Sequence, residues 1–84
     1  MSNKLLYFAN LRETLGVSSE ELTLPSGVND VAKLRAYLAA RGEPWQVLVE
    51  TQNLRAAVNQ KLVGSETRVE DGDEIAFFPP VTGG

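Results

Sequence analysis

The sequence predicts an α+β domain: a mixed β-sheet, one main helix packed across it, and an extended segment trailing from the last strand. Three observations lead there. Only one stretch, about Asp30 to Arg41, carries helical periodicity. Short apolar or alternating runs of strand length lie on both sides of it. The 84 residues hold a single domain, so a lone amphipathic helix has only the sheet against which to bury its face.

Leu5-Leu6-Tyr7-Phe8-Ala9 is an apolar run that reads as a strand buried on at least one face. Glu21-Leu22-Thr23-Leu24 alternates with the strand period of two, and Pro25-Ser26-Gly27 stops it. The connection between them, Asn10 to Ser19, is longer than a tight turn, and Leu11 to Leu15 has room for one helical turn. Asn29 or Asp30 supplies the N-cap of the main helix, because a short polar side chain accepts from its free N–H groups. Val31, Leu34 and Leu38 share one face of that helix, whereas Lys33, Arg35 and Arg41 fall largely elsewhere. Gly42 and Pro44 close it.

Trp45-Gln46-Val47-Leu48-Val49 follows, with Trp45 expected to cap the end of the core, and a polar stretch runs from Glu50 to Asn53. Leu54 to Asn59 and Lys61 to Val63 read as short strands around a tight Asn59-Gln60 turn. Glu70-Asp71-Gly72-Asp73-Glu74 is a solvated turn; it lacks the ligand spacing of a calcium loop. Ile75-Ala76-Phe77-Phe78 is the last strand, stopped by Pro79-Pro80. The first and last strands are the most apolar, which favours central positions for both. This element order is that of a β-grasp, ubiquitin-like sheet spanning residues 1–78, with residues 79–84 as a C-terminal tail.

Composition narrows the chemistry. Without cysteine or histidine the chain has no thiolate, no imidazole base and no imidazole metal ligand, and no metal site is expected. Eleven acidic residues against eight basic ones give a net charge of −3, which argues against nucleic acid. An acidic surface steers basic partners, though such charge also simply keeps a small domain soluble. No signal-peptide pattern or membrane-length apolar run appears, so a cytoplasmic location away from membranes is expected.

The most distinctive chemical group is the α-carboxylate of Gly84. Gly83 and Gly84 carry no side chains, so the tip is slender and conformationally permissive. Pro79 and Pro80 bias the chain behind it toward an extended path, and Val81 and Thr82 keep it uncharged up to its last atom. From Pro79 onward the segment reaches roughly 20 Å at ~3.3–3.6 Å per residue. A folded head with such an arm can place its terminal carboxylate inside another protein. Beside it, Phe77 and Phe78 must point to opposite faces of their strand, so one fills the core and the other lies on the open face. The sequence alone does not say which.

Tyr7-Phe8-Ala9-Asn10-Leu11-Arg12-Glu13, Ala57-Val58-Asn59-Gln60 with Leu62-Val63, and the run from Asp71 through Gly84 together resemble the sulfur-carrier subunits of molybdopterin synthases. The likeness covers the whole chain in length and element order, and its final segment is the most specific part. The Asp-Gly-Asp turn is shared with the thiamine-pathway carriers and other ubiquitin-like proteins. The resemblance implies that an activating enzyme uses ATP to adenylylate Gly84, and that a sulfur donor protein then converts it to a thiocarboxylate, a C-terminal 1-thioglycine. It implies no bound cofactor. It further implies that the tail enters a large catalytic subunit, in a heterotetramer, and gives its sulfur to a pterin precursor. Phe8, Leu62 and Phe78 become the apolar contacts with that partner, and Arg12 a polar one. A carrier for thiamine, cysteine or transfer-RNA thiolation shares the chemistry at Gly84, and a ubiquitin-like modifier shares the tail.

Overall fold

The computed structural model describes residues 2–80; Val81, Thr82, Gly83 and Gly84 lie outside the described residues. Eight elements follow one another: β1 (Asn3–Tyr7), α1 (Asn10–Leu15), β2 (Ser19–Leu22), α2 (Val31–Ala39), α3 (Val47–Glu50), β3 (Arg55–Val58), β4 (Lys61–Val63) and β5 (Glu74–Phe78). The strands form one sheet in the order β2-β1-β5-β3-β4. β1 and β5 run parallel, and every other neighbouring pair is antiparallel. The last strand is therefore central, with the first beside it, as their apolar character requires. This is the β-grasp arrangement.

One face of the sheet carries the core. Leu5 and Tyr7 of β1, Ala56 of β3, and Ile75 and Phe77 of β5 are buried together with Val31, Leu34 and Leu38 of α2. The three helix residues are those that the helical period selects. Asp30 caps α2 by accepting the Lys33 N–H on Oδ1 at 2.7 Å. The next two free N–H groups, of Val31 and Ala32, donate to the carbonyls of Thr67 and Ser65, so the segment after β4 completes the helix start. At the other end, α2 stops at Ala39 rather than Arg41. The N–H groups of Arg41 and Gly42 donate three residues back, to Leu38 and Ala39, which tightens the last turn out of α-geometry.

Pairing shifts the other boundaries. β1 starts two residues earlier than its apolar run, because Asn3 and Lys4 find partners in Leu22 and Glu21. It ends at Tyr7 because Ala9, at φ 55°, turns the chain into α1. β2 covers Ser19–Leu22 instead of Glu21–Leu24; opposite Asn3 it runs out of partner, so Thr23 and Leu24 leave the ladder. β3 begins at Arg55 rather than Leu54, opposite the last residue of β5. The Asn59-Gln60 turn holds as read, both residues having positive φ (52° and 70°) as a two-residue hairpin turn demands. Asn59 is locked there: its Oδ1 accepts the Glu74 N–H at 3.0 Å and its Nδ2 donates to Asp73 at 2.9 Å. The Trp45–Val49 run gives way at Val47 to α3, a short helix that runs on to Glu50 and whose Leu48 is fully buried. It is held from α2 by Arg35, whose Nε donates to the Leu48 carbonyl at 2.8 Å.

Candidate functional site

Strand alternation and register determine which side chains share the face away from the helix. In β5 the buried Ile75 and Phe77 point to the core, so Glu74, Ala76 and Phe78 point the other way. Residues directly opposite each other share a face. Leu6 lies beside Ala76, Ala76 opposite Ala57, and Ala57 opposite Leu62. That row crosses four strands without a charge. The next row toward the end of β5 holds Phe78 opposite Arg55. Phe8 completes it, one residue beyond the Tyr7–Phe77 pair, with its N–H donating to the Phe77 carbonyl at 3.2 Å.

Phe8, Leu62 and Phe78 thus share one face: Phe8 and Phe78 flank the point where Pro79-Pro80 lead out of the central strand, and Leu62 lies one row back on the edge strand β4. Phe8 is 47% and Leu62 63% exposed, and with the uncharged row between them they leave apolar surface on this face open to a partner. Phe78 is half-buried, whereas Phe77 is fully buried. Phe78 is therefore the phenylalanine of the open face. Arg12 is exposed on α1, the helix that springs from the same end of the sheet. Its helix is anchored by the buried Leu11 and Leu15 and closed by Gly16 at φ 80°. Pro79 and Pro80 are half-buried, and the tail residues Val81, Thr82, Gly83 and Gly84 fall beyond the described part of the chain.

Behind this face the strand ends are braced by aromatic packing. Phe77 stacks on Tyr7 with ring centroids 6.4 Å apart, and Trp45 meets Tyr7 edge-on at 5.5 Å. Arg41 lies 4.4 Å over the Trp45 ring and makes two 3.0 Å hydrogen bonds to the Glu20 carboxylate. The Tyr7 hydroxyl donates to the same carboxylate at 2.9 Å. Burial alone raises the Glu20 carboxyl, but the bonds from Arg41 and Tyr7 and the Arg41 charge outweigh it and hold the group below its usual value. The Tyr7 phenol is pushed far up by its burial and then by the Glu20 carboxylate. Trp45 does cap the core, as its position after Pro44 implies. The Glu20–Arg41 tie was not legible in the sequence, since 21 residues separate the partners.

Sequence reasoning also missed Leu6, Ala57 and Ala76, the middle of the apolar row. Alternation on β1 and β5 puts Leu6 with Phe8 and Ala76 with Phe78, but only the strand order makes them neighbours. Among the described residues no group of His, Cys, Asp and Glu has the arrangement of a metal site. Among the described residues no helix is long and apolar enough to cross a membrane either.

The open face thus bears exposed apolar side chains beside Pro79-Pro80, which lead on to Val81-Thr82-Gly83-Gly84 in the sequence. The sequence model of the ThiS family matches residues 5–84. The chain belongs to the ThiS family. Among relatives of this ThiS-family chain, the molybdopterin synthase sulfur carrier subunit of Escherichia coli (strain K12) is 44% identical over 81 residues, covering 96% of this chain and 98% of that one. A solved complex of subunits 1 and 2 of the molybdopterin-converting factor from Helicobacter pylori contains a chain 27% identical, matched over 100% of both chains with a TM-score of 0.67. Caldiarchaeum subterraneum ubiquitin, at 19% identity and a TM-score of 0.56 over 100% of this chain and 98% of its own, shares the fold.

Proposed function

We propose that this protein is the sulfur carrier subunit of a molybdopterin synthase, with the folded domain as a docking head and Gly84 as the group that bears the sulfur. The observation that carries this reading is the uncharged open face bearing Phe8, Leu62 and Phe78, with Phe8 and Phe78 beside the exit of β5, in a chain 44% identical to a sulfur carrier subunit of that enzyme. The partner is the large subunit of the synthase, as in the Helicobacter pylori complex of subunits 1 and 2.

The chemistry follows from the terminus. A carboxylate is a poor acyl electrophile, because its charge repels nucleophiles and it offers no good leaving group. An activating enzyme attaches the Gly84 carboxylate to the α-phosphate of ATP, releasing pyrophosphate and giving an acyl-adenylate. Sulfur released by a donor protein at the sulfide level attacks that acyl carbon as hydrosulfide, AMP leaves and a proton is lost, and Gly84 becomes a thiocarboxylate. The tail then enters the large subunit, and its sulfur is transferred to a pterin precursor to build the dithiolene that later holds molybdenum. Gly83 keeps the approach narrow, and the uncharged Val81-Thr82 segment enters a cleft without desolvating a charge. The catalytic side chains of the transfer belong to the large subunit in this reading, which agrees with the lack of histidine and cysteine in this chain. The chain acts in the cytoplasm, and is not catalytic by itself.

Reconstitution tests the reading. The thiocarboxylate form, mixed with the large synthase subunit and the pterin precursor, converts the precursor to the dithiolene product. Failure to convert it, with sulfur passed instead to a thiamine-, cysteine- or transfer-RNA-pathway acceptor, overturns the pathway assignment.

A further inference from the structure

Charge on the open face is confined to its borders. At the start of β5, Lys4 lies beside Glu74 and opposite Glu21, so opposite charges adjoin one another. The adjoining turn carries Glu70, Asp71 and Asp73. The middle row, Leu6-Ala76-Ala57-Leu62, is uncharged. At the end of β5, where the tail departs, the row contains Phe8, Phe78 and Arg55. Arg55 is exposed and opens β3, a strand interior to the sheet. Among the described residues neither Arg55 nor Arg12 makes an ion pair or a side-chain hydrogen bond; the two ion pairs there are Lys33–Asp30 and Arg41–Glu20. A chain of net charge −3 thus places Arg55 and Arg12 at the end from which its tail leaves, with Glu13 the acidic neighbour of Arg12 there, and its acid-rich turn at the opposite end of the same strand.

This is the anatomy of an interface with an apolar centre and a charged rim, in which arginine is the favoured cation. A rim charge contributes chiefly to the speed and orientation of encounter rather than to residence time. We propose that Arg55 is a recognition residue of the docking face, facing a carboxylate on the large synthase subunit and steering the tail end of the head toward it. The inference rests on the reading of this face as the surface that meets the large subunit. It adds a residue, and a sign of charge for the partner.

The test measures association and dissociation rates between the purified chain and the large synthase subunit, by stopped flow across a series of sodium chloride concentrations. Arg55→Gln, Arg55→Glu and Arg55→Lys are compared with the unmodified chain, and Leu62→Ala reports separately on the apolar contact. Steering predicts that Arg55→Glu slows association about tenfold at low salt, that the difference closes as salt rises, and that dissociation stays within about twofold. Arg55→Lys retains most of the rate, because steering needs the charge and not the guanidinium fork. Thermal midpoints stay together, since Arg55 is exposed. Equal association rates for Arg55→Glu and the unmodified chain at low salt, with Leu62→Ala weakening the complex, overturn the role of Arg55 and leave the docking face standing. A slowing that is the same at every salt concentration overturns it too, since packing and not charge is then at work. If Leu62→Ala and Arg55→Glu both bind unchanged, the docking face itself falls, and the inference with it.

Discussion

Phe77 and Phe78 are adjacent and chemically identical, yet the structure gives them opposite work, which makes their alanine variants a paired experiment. Phe77 is fully buried and stacks on Tyr7. Phe77→Ala removes a core aromatic and leaves a cavity beside Tyr7, which costs about 3–5 kcal/mol. With stability on the order of 0.05–0.15 kcal/mol per residue, that is much of what a domain of this size possesses. Phe78 is half-buried on the open face, so Phe78→Ala gives up only part of a phenylalanine's burial, about 1 kcal/mol. Its loss falls instead on the partner, where truncating an interface aromatic costs about 2 kcal/mol or more, some thirtyfold in Kd. Urea melts followed by the fluorescence of Trp45, the single tryptophan, give the stabilities, and titration with the large synthase subunit gives the affinities. Should Phe77→Ala fail to fold, Phe77→Leu serves, with an expected loss of about 1–3 kcal/mol and an affinity near that of the unmodified chain. Phe78→Ala destabilising as much as Phe77→Ala, or binding the large subunit unchanged, refutes the division of labour.

The hydrogen bonds that Arg41 and Tyr7 donate to the Glu20 carboxylate make stability depend on pH. The Glu20 carboxyl is held below its ordinary value of 4.5, so its contribution is present above that pH and disappears as pH falls through the depressed value. Thermal melts from pH 7 to 3 should show Glu20→Gln less stable at neutral pH and the gap narrowing on acidification; a constant gap contradicts the assignment. Asn59→Ala removes the side chain that bonds Glu74 and Asp73 and places an alanine at φ 52°, which costs about 1–3 kcal/mol. Urea melts check this, and a loss below about 0.5 kcal/mol is too small for a locked turn.

Much of this fold was legible because local signals agreed. The period of Val31, Leu34 and Leu38 gave the helix and its buried face, Asp30 its cap, and Asn59-Gln60 the hairpin. The apolar first and last strands did pair at the centre of the sheet. Boundaries were less legible, since a strand ends where its partner ends: Thr23 and Leu24 alternate correctly but have nothing opposite them. The assignment of Phe78 to the open face needed the burial of Phe77, and the apolar row through Ala57 and Ala76 needed the strand order. Arg55 gave no signal at all in the sequence, because an isolated arginine means nothing until the register sets it against Phe78.

The most direct measurement is the intact mass of the chain after incubation with its activating enzyme, ATP and a sulfur source, followed by fragmentation of the C-terminus. The account predicts the exchange of one oxygen for sulfur, localised to Gly84 and dependent on ATP. Sulfur found on any other residue, or a chain extended by one residue beyond Gly84 that still supports product formation without being trimmed, contradicts it.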